Sequence, residues 1–247
     1  MEKYIAYLVK WLQNKLIATK CKGFIVGISG GIDSAVVANL VRRACPDNSL
    51  GVILPCYSAT TDVEHAKLVC EECGLKYKTI NLAPVYDTLL EAFDNDIKDD
   101  PTFELALANT KARLRMTTLY AIAQRYGYLV VGTDNACEWY TGYFTKYGDG
   151  GVDLVPLVHL LKSQVYEMAQ CLQINQAIIT KAPSAGLIAG QTDEDELQFT
   201  YHELEQYMKG QEVSKKVKQR IDYLHHSSEH KRNLAAKPAL NVEDINK

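Results

Sequence analysis

Hydrophobic and polar positions along the chain change rhythm in a regular way. Over residues 2–20, Ile5, Leu8, Trp11, Leu12 and Leu16 recur at helical spacing, which predicts an amphipathic helix. Phe24–Ile28 is a short apolar run that ends in glycines and reads as a buried strand. Helical spacing returns over Ser34–Ala44, through Val36, Val37, Leu40 and Val41. Leu50–Leu54 is a second strand, broken by Pro55, and Asp62–Cys73 a further helix that stops at Gly74. Lys76–Leu82 follows as a third, more polar strand, then Pro84–Phe93 as a short helix and Asp94–Asp100 as a solvated acidic loop. Thr102–Tyr126 reads as a long helix and Tyr128–Val131 as a fourth strand. Asp153–Pro156 is expected to add a fifth strand, followed by a helix from about Leu160 to Leu172. Past Ile174 the rhythm stops. Ala182–Thr192 reads as a mobile loop, and two polar helical stretches come after it, near Asp193–Met208 and Val213–His226.

Strands alternating with helices at short intervals predict an α/β fold. The expected form is a doubly wound parallel sheet of Rossmann-like type, with additional C-terminal helices. The length of 247 residues suits a single domain, 1–247. Hydrophobic residues at 47% and charged residues at 23% exclude disordered, collagenous and coiled-coil chains. A net charge of -3 gives no reason to expect a nucleic-acid or membrane partner, and no apolar stretch approaches bilayer length. Seven cysteines at irregular spacing fit a reducing, cytoplasmic setting. Lys3, Lys10 and Lys15 interrupt the N-terminal apolar run, so no signal peptide is expected. Cys70 and Cys73 have C-x-x-C spacing, but no second cysteine or histidine pair completes a zinc site, and the end of a helix explains them better.

The strongest chemical signal is Gly27-Ile28-Ser29-Gly30-Gly31-Ile32-Asp33-Ser34, between the first strand and its helix. Glycines let the backbone turn tightly, and the helix N-terminus offers unpaired amides to an anion. The loop is neither a Walker A motif nor a G-x-G-x-x-G fingerprint. Asp33 is the informative departure. A carboxylate would repel a polyphosphate unless a cation lay between them, and Mg²⁺ binds through one or two carboxylates plus phosphate oxygens. A plain helix-capping turn is the competing reading. The loop after the fourth strand is Gly132-Thr-Asp-Asn-Ala-Cys-Glu138. If strands one and four are neighbours, the two loops meet, with Glu138 as second magnesium ligand and Thr133 on the nucleotide. Glu138 could equally be an ordinary first-turn helix glutamate.

The stretch Ser29–Ser34 resembles the loop of the N-type ATP pyrophosphatases. Five further motifs, in order along nearly the whole chain, resemble those of the ammonia-dependent NAD synthetases within that superfamily. They are Asn109–Met116, Gly142–Gly151, Pro183–Leu187, Gln191–Leu197 and His230–Arg232. The resemblance implies a ligase that amidates deamido-NAD with ammonia through an acyl-adenylate, giving NAD, AMP and pyrophosphate. It implies Mg²⁺ with ATP as co-substrate, and a homodimer with the deamido-NAD site at its interface. No glutaminase domain is expected, so free ammonia is the expected nitrogen source.

Carried over residue by residue, the family's ATP contacts fall on Gly27–Ser34, Thr133, Lys162 and Ser184, and its metal ligands on Asp33 and Glu138. Its deamido-NAD contacts fall on Arg113, Lys146, Asp153, His230 and Lys231. Asp33, Lys162 and Asp149 are the expected catalytic residues, Asp149 by guiding and deprotonating ammonium. Bland readings stand beside these. Lys111 and Arg115 lie at i,i+4 and Arg113 points elsewhere on the helix, so a solvated helix face could explain them; Lys162 could be an ordinary helix-start lysine, and His230–Arg232 could be a solvated tail. Tyr143 and Phe144 could stack on a nicotinate ring or simply pack. No contact can be carried onto Pro55–Asp62. Turnover by another amidating or thiolating pyrophosphatase, and a nucleotide sensor without turnover, are the rival functions.

Overall fold

The apolar runs pair into a parallel sheet. The computed structural model describes residues 1–93, 103–183 and 192–239. Its elements in chain order are α1 (Glu2–Thr19), β1 (Gly23–Gly27), α2 (Ile32–Ala44), β2 (Ser49–Ile53), α3 (Thr60–Cys73) and β3 (Tyr77–Thr79). They continue as α4 (Ala83–Glu91), α5 (Glu104–Tyr126), β4 (Tyr128–Val131), α6 (Ala136–Thr141), α7 (Lys162–Cys171) and α8 (Gln176–Ile179). The chain closes with α9 (Asp193–Leu197), α10 (Tyr201–Met208), α11 (Lys215–Ser227) and α12 (Glu229–Arg232). Among the described residues the strand order is β3-β2-β1-β4, all parallel, with Ile25 opposite both Leu50 and Val130.

Successive strand side chains point to opposite faces, and both faces are covered, which is why β1 reads as an unbroken apolar run. Phe24 and Val26 pack against α1, α2, α3, α7 and α8, around Leu12, Leu40 and Met168. Ile25, Val52 and Val130 pack on the other face, against Tyr86 of α4 and Met116 and Leu119 of α5. Phe24, Ile25 and Val26 are fully buried, and each such side chain contributes about 1.5–3 kcal/mol. A separate cluster of Cys137, Leu204, Val217 and Ile221 joins α6 to α10 and α11 beyond the sheet.

Three expectations need correction. Asp153–Pro156 makes one bridge, Val131 to Leu154, rather than a strand. The Asp153 carboxylate itself accepts from the amide of Val130 at 2.8 Å, so a side chain takes the place of a ladder partner. The third strand is shorter than Lys76–Leu82. The single stretch expected over Asp193–Met208 is two helices, because Gln198 turns left-handed at φ 67° and Thr200 caps a new helix with Glu203. The acidic loop Asp94–Asp100 and most of Ala182–Thr192 lie outside the described residues. Cys70 is core, and the Cys73 thiol donates to the Cys70 carbonyl at 3.7 Å, as the helix end near Gly74 requires.

Candidate active site

The turn between β1 and α2 is held from inside. The buried Ser34 hydroxyl accepts from the amide of Ser29 at 3.3 Å, lies 3.1 Å from the Ser29 hydroxyl and donates to the Gly31 carbonyl at 2.9 Å. Ser34 therefore shapes the turn. Gly30 adopts φ 80°, and a Cβ there would stand 2.5 Å from the Asp62 carbonyl, so only glycine fits against α3. No side chain caps α2, which leaves its first amides for an anion. Gly27, Ile28, Ser29, Gly31, Ile32 and Asp33 line a cavity of about 290 Å³.

Because β1 and β4 are neighbours, the second loop opens into the same cavity, with Thr133, Asp134 and Glu138 on its wall. Lys162, at the start of α7, reaches both carboxylates: its ammonium donates to Asp33 at 2.6 Å and to Glu138 at 3.4 Å. Asn135 is the joint of the assembly. Its side-chain oxygen caps α6 by accepting from the amides of Cys137 and Glu138, and its Nδ2 donates to Asp33 at 2.9 Å. Glu138 in return accepts from the Asn135 amide at 3.0 Å, completing a capping box. Burial first, and Asp33 second, push the Glu138 carboxyl up to about 8. Burial works against the charge on Lys162, but Asp33 and Glu138 outweigh it and raise its pKa. Glu205 fixes the start of α7 by accepting from the Ser163 amide and hydroxyl at 2.7 and 2.6 Å.

More carboxylates face the cavity. Asp134 is buried, its Oδ2 has no hydrogen-bond partner among the described residues, and burial and then Asp149 raise its pKa well above the ordinary range. Asp149 accepts from the amide of Thr145 at 3.1 Å, and burial again raises its pKa. Asp193 accepts from the phenols of Tyr143 and Tyr201 at 3.2 and 3.0 Å. Buried acids in such number are costly without positive charge, so the cavity suits ligands that carry cations. Asp33 and Glu138 supply hard oxygen donors, and Lys162 pairs with both. Two carboxylates suit Mg²⁺, which fills its remaining positions with phosphate oxygens and water. Among the described residues no larger cluster of acids, histidines and cysteines forms an all-protein metal cage.

The residues carried over for deamido-NAD gather elsewhere. Arg113 donates to the Lys146 carbonyl at 3.2 Å, and Lys146 to the His230 carbonyl. The Lys231 ammonium donates to the carbonyls of Gly142 and Phe144 at 2.7 and 2.8 Å. These four residues thus form one patch where α12 clamps the 142–151 loop, outside the cavity lining. Asp153 stands apart, held by Val130 and by the Tyr120 phenol at 3.0 Å. Ser184 lies outside the described residues. Tyr143 lines the cavity with its phenol already engaged, whereas Phe144 is buried and stacks on Trp139 at 5.2 Å.

Several cavity residues escaped sequence reading. Asn135 carried a readable signal, since Asn followed three residues later by Glu is a capping box. Arg115 did not. It sits two residues from Arg113, yet it turns into the cavity and donates to the Leu54 carbonyl at 3.0 Å and to Ser58 at 3.3 Å. It is not on a solvated face. From Pro55–Asp62, which had given no contact, Pro55, Ser58 and Asp62 line the wall.

Comparison with known proteins bears on the family and the fold. The family model described as NAD synthase matches residues 4–235. The NH3-dependent NAD(+) synthetase of Alkaliphilus oremlandii is 46% identical over 245 residues, covering 97% of this chain and 98% of its own. The structure of NMN synthetase from Francisella tularensis superposes with a TM-score of 0.90 at 42% identity, covering 97% and 98% of the two chains. The NH3-dependent NAD synthetase of Campylobacter jejuni superposes with a TM-score of 0.79 at 26% identity, covering 96% and 98%.

Proposed function

We propose, from the premise that this chain belongs to the NAD synthase family, that it is a ligase that amidates deamido-NAD with ammonia, using ATP. The observation that carries the reading is the β1–β4 adjacency, which joins Asp33, Glu138 and Lys162 at the mouth of the glycine turn. In this reading the turn and the first amides of α2 hold the triphosphate. Asp33 and Glu138 would hold Mg²⁺, which supplies positive charge against the departing pyrophosphate. Lys162 holds the two carboxylates in place and offers a donor to a phosphate oxygen. An oxygen of the nicotinate carboxylate attacks the α-phosphorus, the bond to pyrophosphate breaks, and an acyl-adenylate remains. Ammonia then attacks the acyl carbon, and the carbon–oxygen bond to AMP breaks. Asp149, whose carboxyl burial pushes up from its ordinary value and which lines the same cavity, takes the proton from ammonium. Holding the two substrates in line removes much of the entropic barrier.

A homodimer belongs to the same proposal. Leu105, Tyr120 and Tyr126 of α5 are exposed, and the Arg113–Lys146–His230–Lys231 patch lies outside the cavity, which suits a substrate shared with a second copy. A reducing, cytoplasmic setting is supported by seven free cysteines. Among the described residues no helix is long and apolar enough to cross a membrane. A second reading keeps the chemistry and shortens the acid to nicotinate mononucleotide. It is favoured by the close superposition on a protein named NMN synthetase. One assay separates them: NAD and nicotinamide mononucleotide formation from the two acids, with ammonium and glutamine compared as nitrogen source. The primary reading expects the dinucleotide acid and ammonium to give the highest kcat/KM. Turnover of neither acid would sink both readings.

A further inference from the structure

The cavity that Lys162 lines holds a second ion pair, between residues 119 positions apart in the chain. The Lys181 ammonium donates to Asp62 at 2.6 Å, and both side chains are about a quarter exposed on the cavity wall. Asp62 stands in the first turn of α3, and its carbonyl packs on Gly30 of the glycine turn. Lys181 follows α8, whose Ile178 and Ile179 are buried in the sheet core. The connector before α8 is tied to α3 by Asn175, which donates to Glu72 at 2.7 Å. A well-anchored lysine is therefore delivered to the outer side of the phosphate turn. Lys162 is held there by the two metal-binding carboxylates, and Arg115 by Leu54 and Ser58. Lys181 is instead held by an acid with no other part in the site. A partly exposed ion pair is weak, whereas a lysine donating to a phosphate oxygen makes a charge-assisted bond of the stronger class.

We infer that Lys181 is a further substrate-binding residue, which leaves Asp62 to hold the pyrophosphate end of ATP, Asp62 being its partner only in the empty site. This rests on the reading of the glycine turn as the triphosphate site. The exchange makes the two partners act with opposite sign. Lys181→Gln removes a donor to phosphate. Asp62→Asn removes the competitor and leaves Lys181 free.

The test is calorimetric titration of the full chain with Mg·ATP, Mg·pyrophosphate and AMP, without an acyl acceptor so that nothing turns over. Folding of each variant is checked by its melting transition. Lys181→Gln is expected to weaken Mg·ATP and Mg·pyrophosphate roughly 10- to 100-fold and to leave AMP within about twofold, the range for one hydrogen bond to a charged group. Asp62→Asn is expected to tighten Mg·ATP by roughly 1.5- to 5-fold, the worth of a partly exposed pair. In the Lys181→Gln background it should do nothing. Unchanged Mg·ATP binding by Lys181→Gln overturns the inference. So does weaker binding by Asp62→Asn, or an effect of Asp62→Asn that persists without Lys181. Asp33→Asn separates the two levels. If the wild type fails to bind Mg·ATP, or Asp33→Asn binds it equally well, the triphosphate site itself is misplaced. Loss on Asp33→Asn with a silent Lys181→Gln removes only the role of Lys181.

Discussion

Replacing Glu138 with Gln separates the stability of the empty site from its function. Glu138 is buried beside Asp33, and its carboxyl is pushed from an ordinary 4.5 up to about 8. A pKa higher in the folded than in the unfolded chain means that the folded state holds the proton more tightly. Stability is therefore full below about pH 4.5 and is lost as pH rises towards 8. At about 1.4 kcal/mol for each pH unit between the two values, the stability linked to the Glu138 proton falls by about 3 kcal/mol by pH 7 and about 4 kcal/mol by pH 8, as upper figures. Gln is neutral and keeps an acceptor for the Asn135 amide, so the α6 cap survives. The charge attraction to Lys162 at 3.4 Å is already contained in that pKa, and relaxation of the former carboxylate pocket takes back part of the gain. A net stabilisation of about 1–3 kcal/mol at pH 8 remains, or roughly 3–10 °C in Tm for a chain of this size. The assay is a melting scan without metal at pH 5 and pH 8, then with Mg·ATP. Glu138→Gln should melt above the wild type at pH 8, with a much smaller gap at pH 5. Mg·ATP should raise the wild-type Tm and leave the variant unmoved. A variant that melts no higher than the wild type at pH 8, or a gap independent of pH, would refute the electrostatic account.

Two further outcomes test the surroundings. Gly30→Ala forces a left-handed backbone at φ 80° and sets a Cβ against the Asp62 carbonyl; the conformation alone costs about 1–3 kcal/mol, so Tm should fall and Mg·ATP affinity with it, and calorimetry showing neither would contradict the packing of the turn on α3. Cys70 and Cys137 have thiols pushed up to about 12 by burial, while Cys171 is exposed; mass spectrometry after thiol labelling at pH 8 should find Cys171 modified and the other two protected until the chain unfolds, and equal rates would refute their placement in the core.

The alternation of apolar runs and helical stretches determined the α/β class, and the local chemistry of Gly27–Ser34 is what led to the proposal of a metal-bound polyphosphate ligand. Both are short-range properties: a strand buried on two faces must be apolar throughout, and a carboxylate beside a phosphate needs a cation between them. The C-terminal break at Gln198 left no mark, because a left-handed residue other than glycine is set by its neighbours in space. Helical spacing already sets Arg113 and Arg115, two positions apart, on different sides of α5, but which partner each side meets was hidden: one meets the 142–151 loop and the other the cavity wall. The strand order decided the site itself: only when β4 pairs with β1 do Asp33 and Glu138, 105 positions apart by their numbers, share one lysine. That sharing depends on Coulomb attraction over a few ångströms in a buried cavity, and such distances exist only in the folded chain.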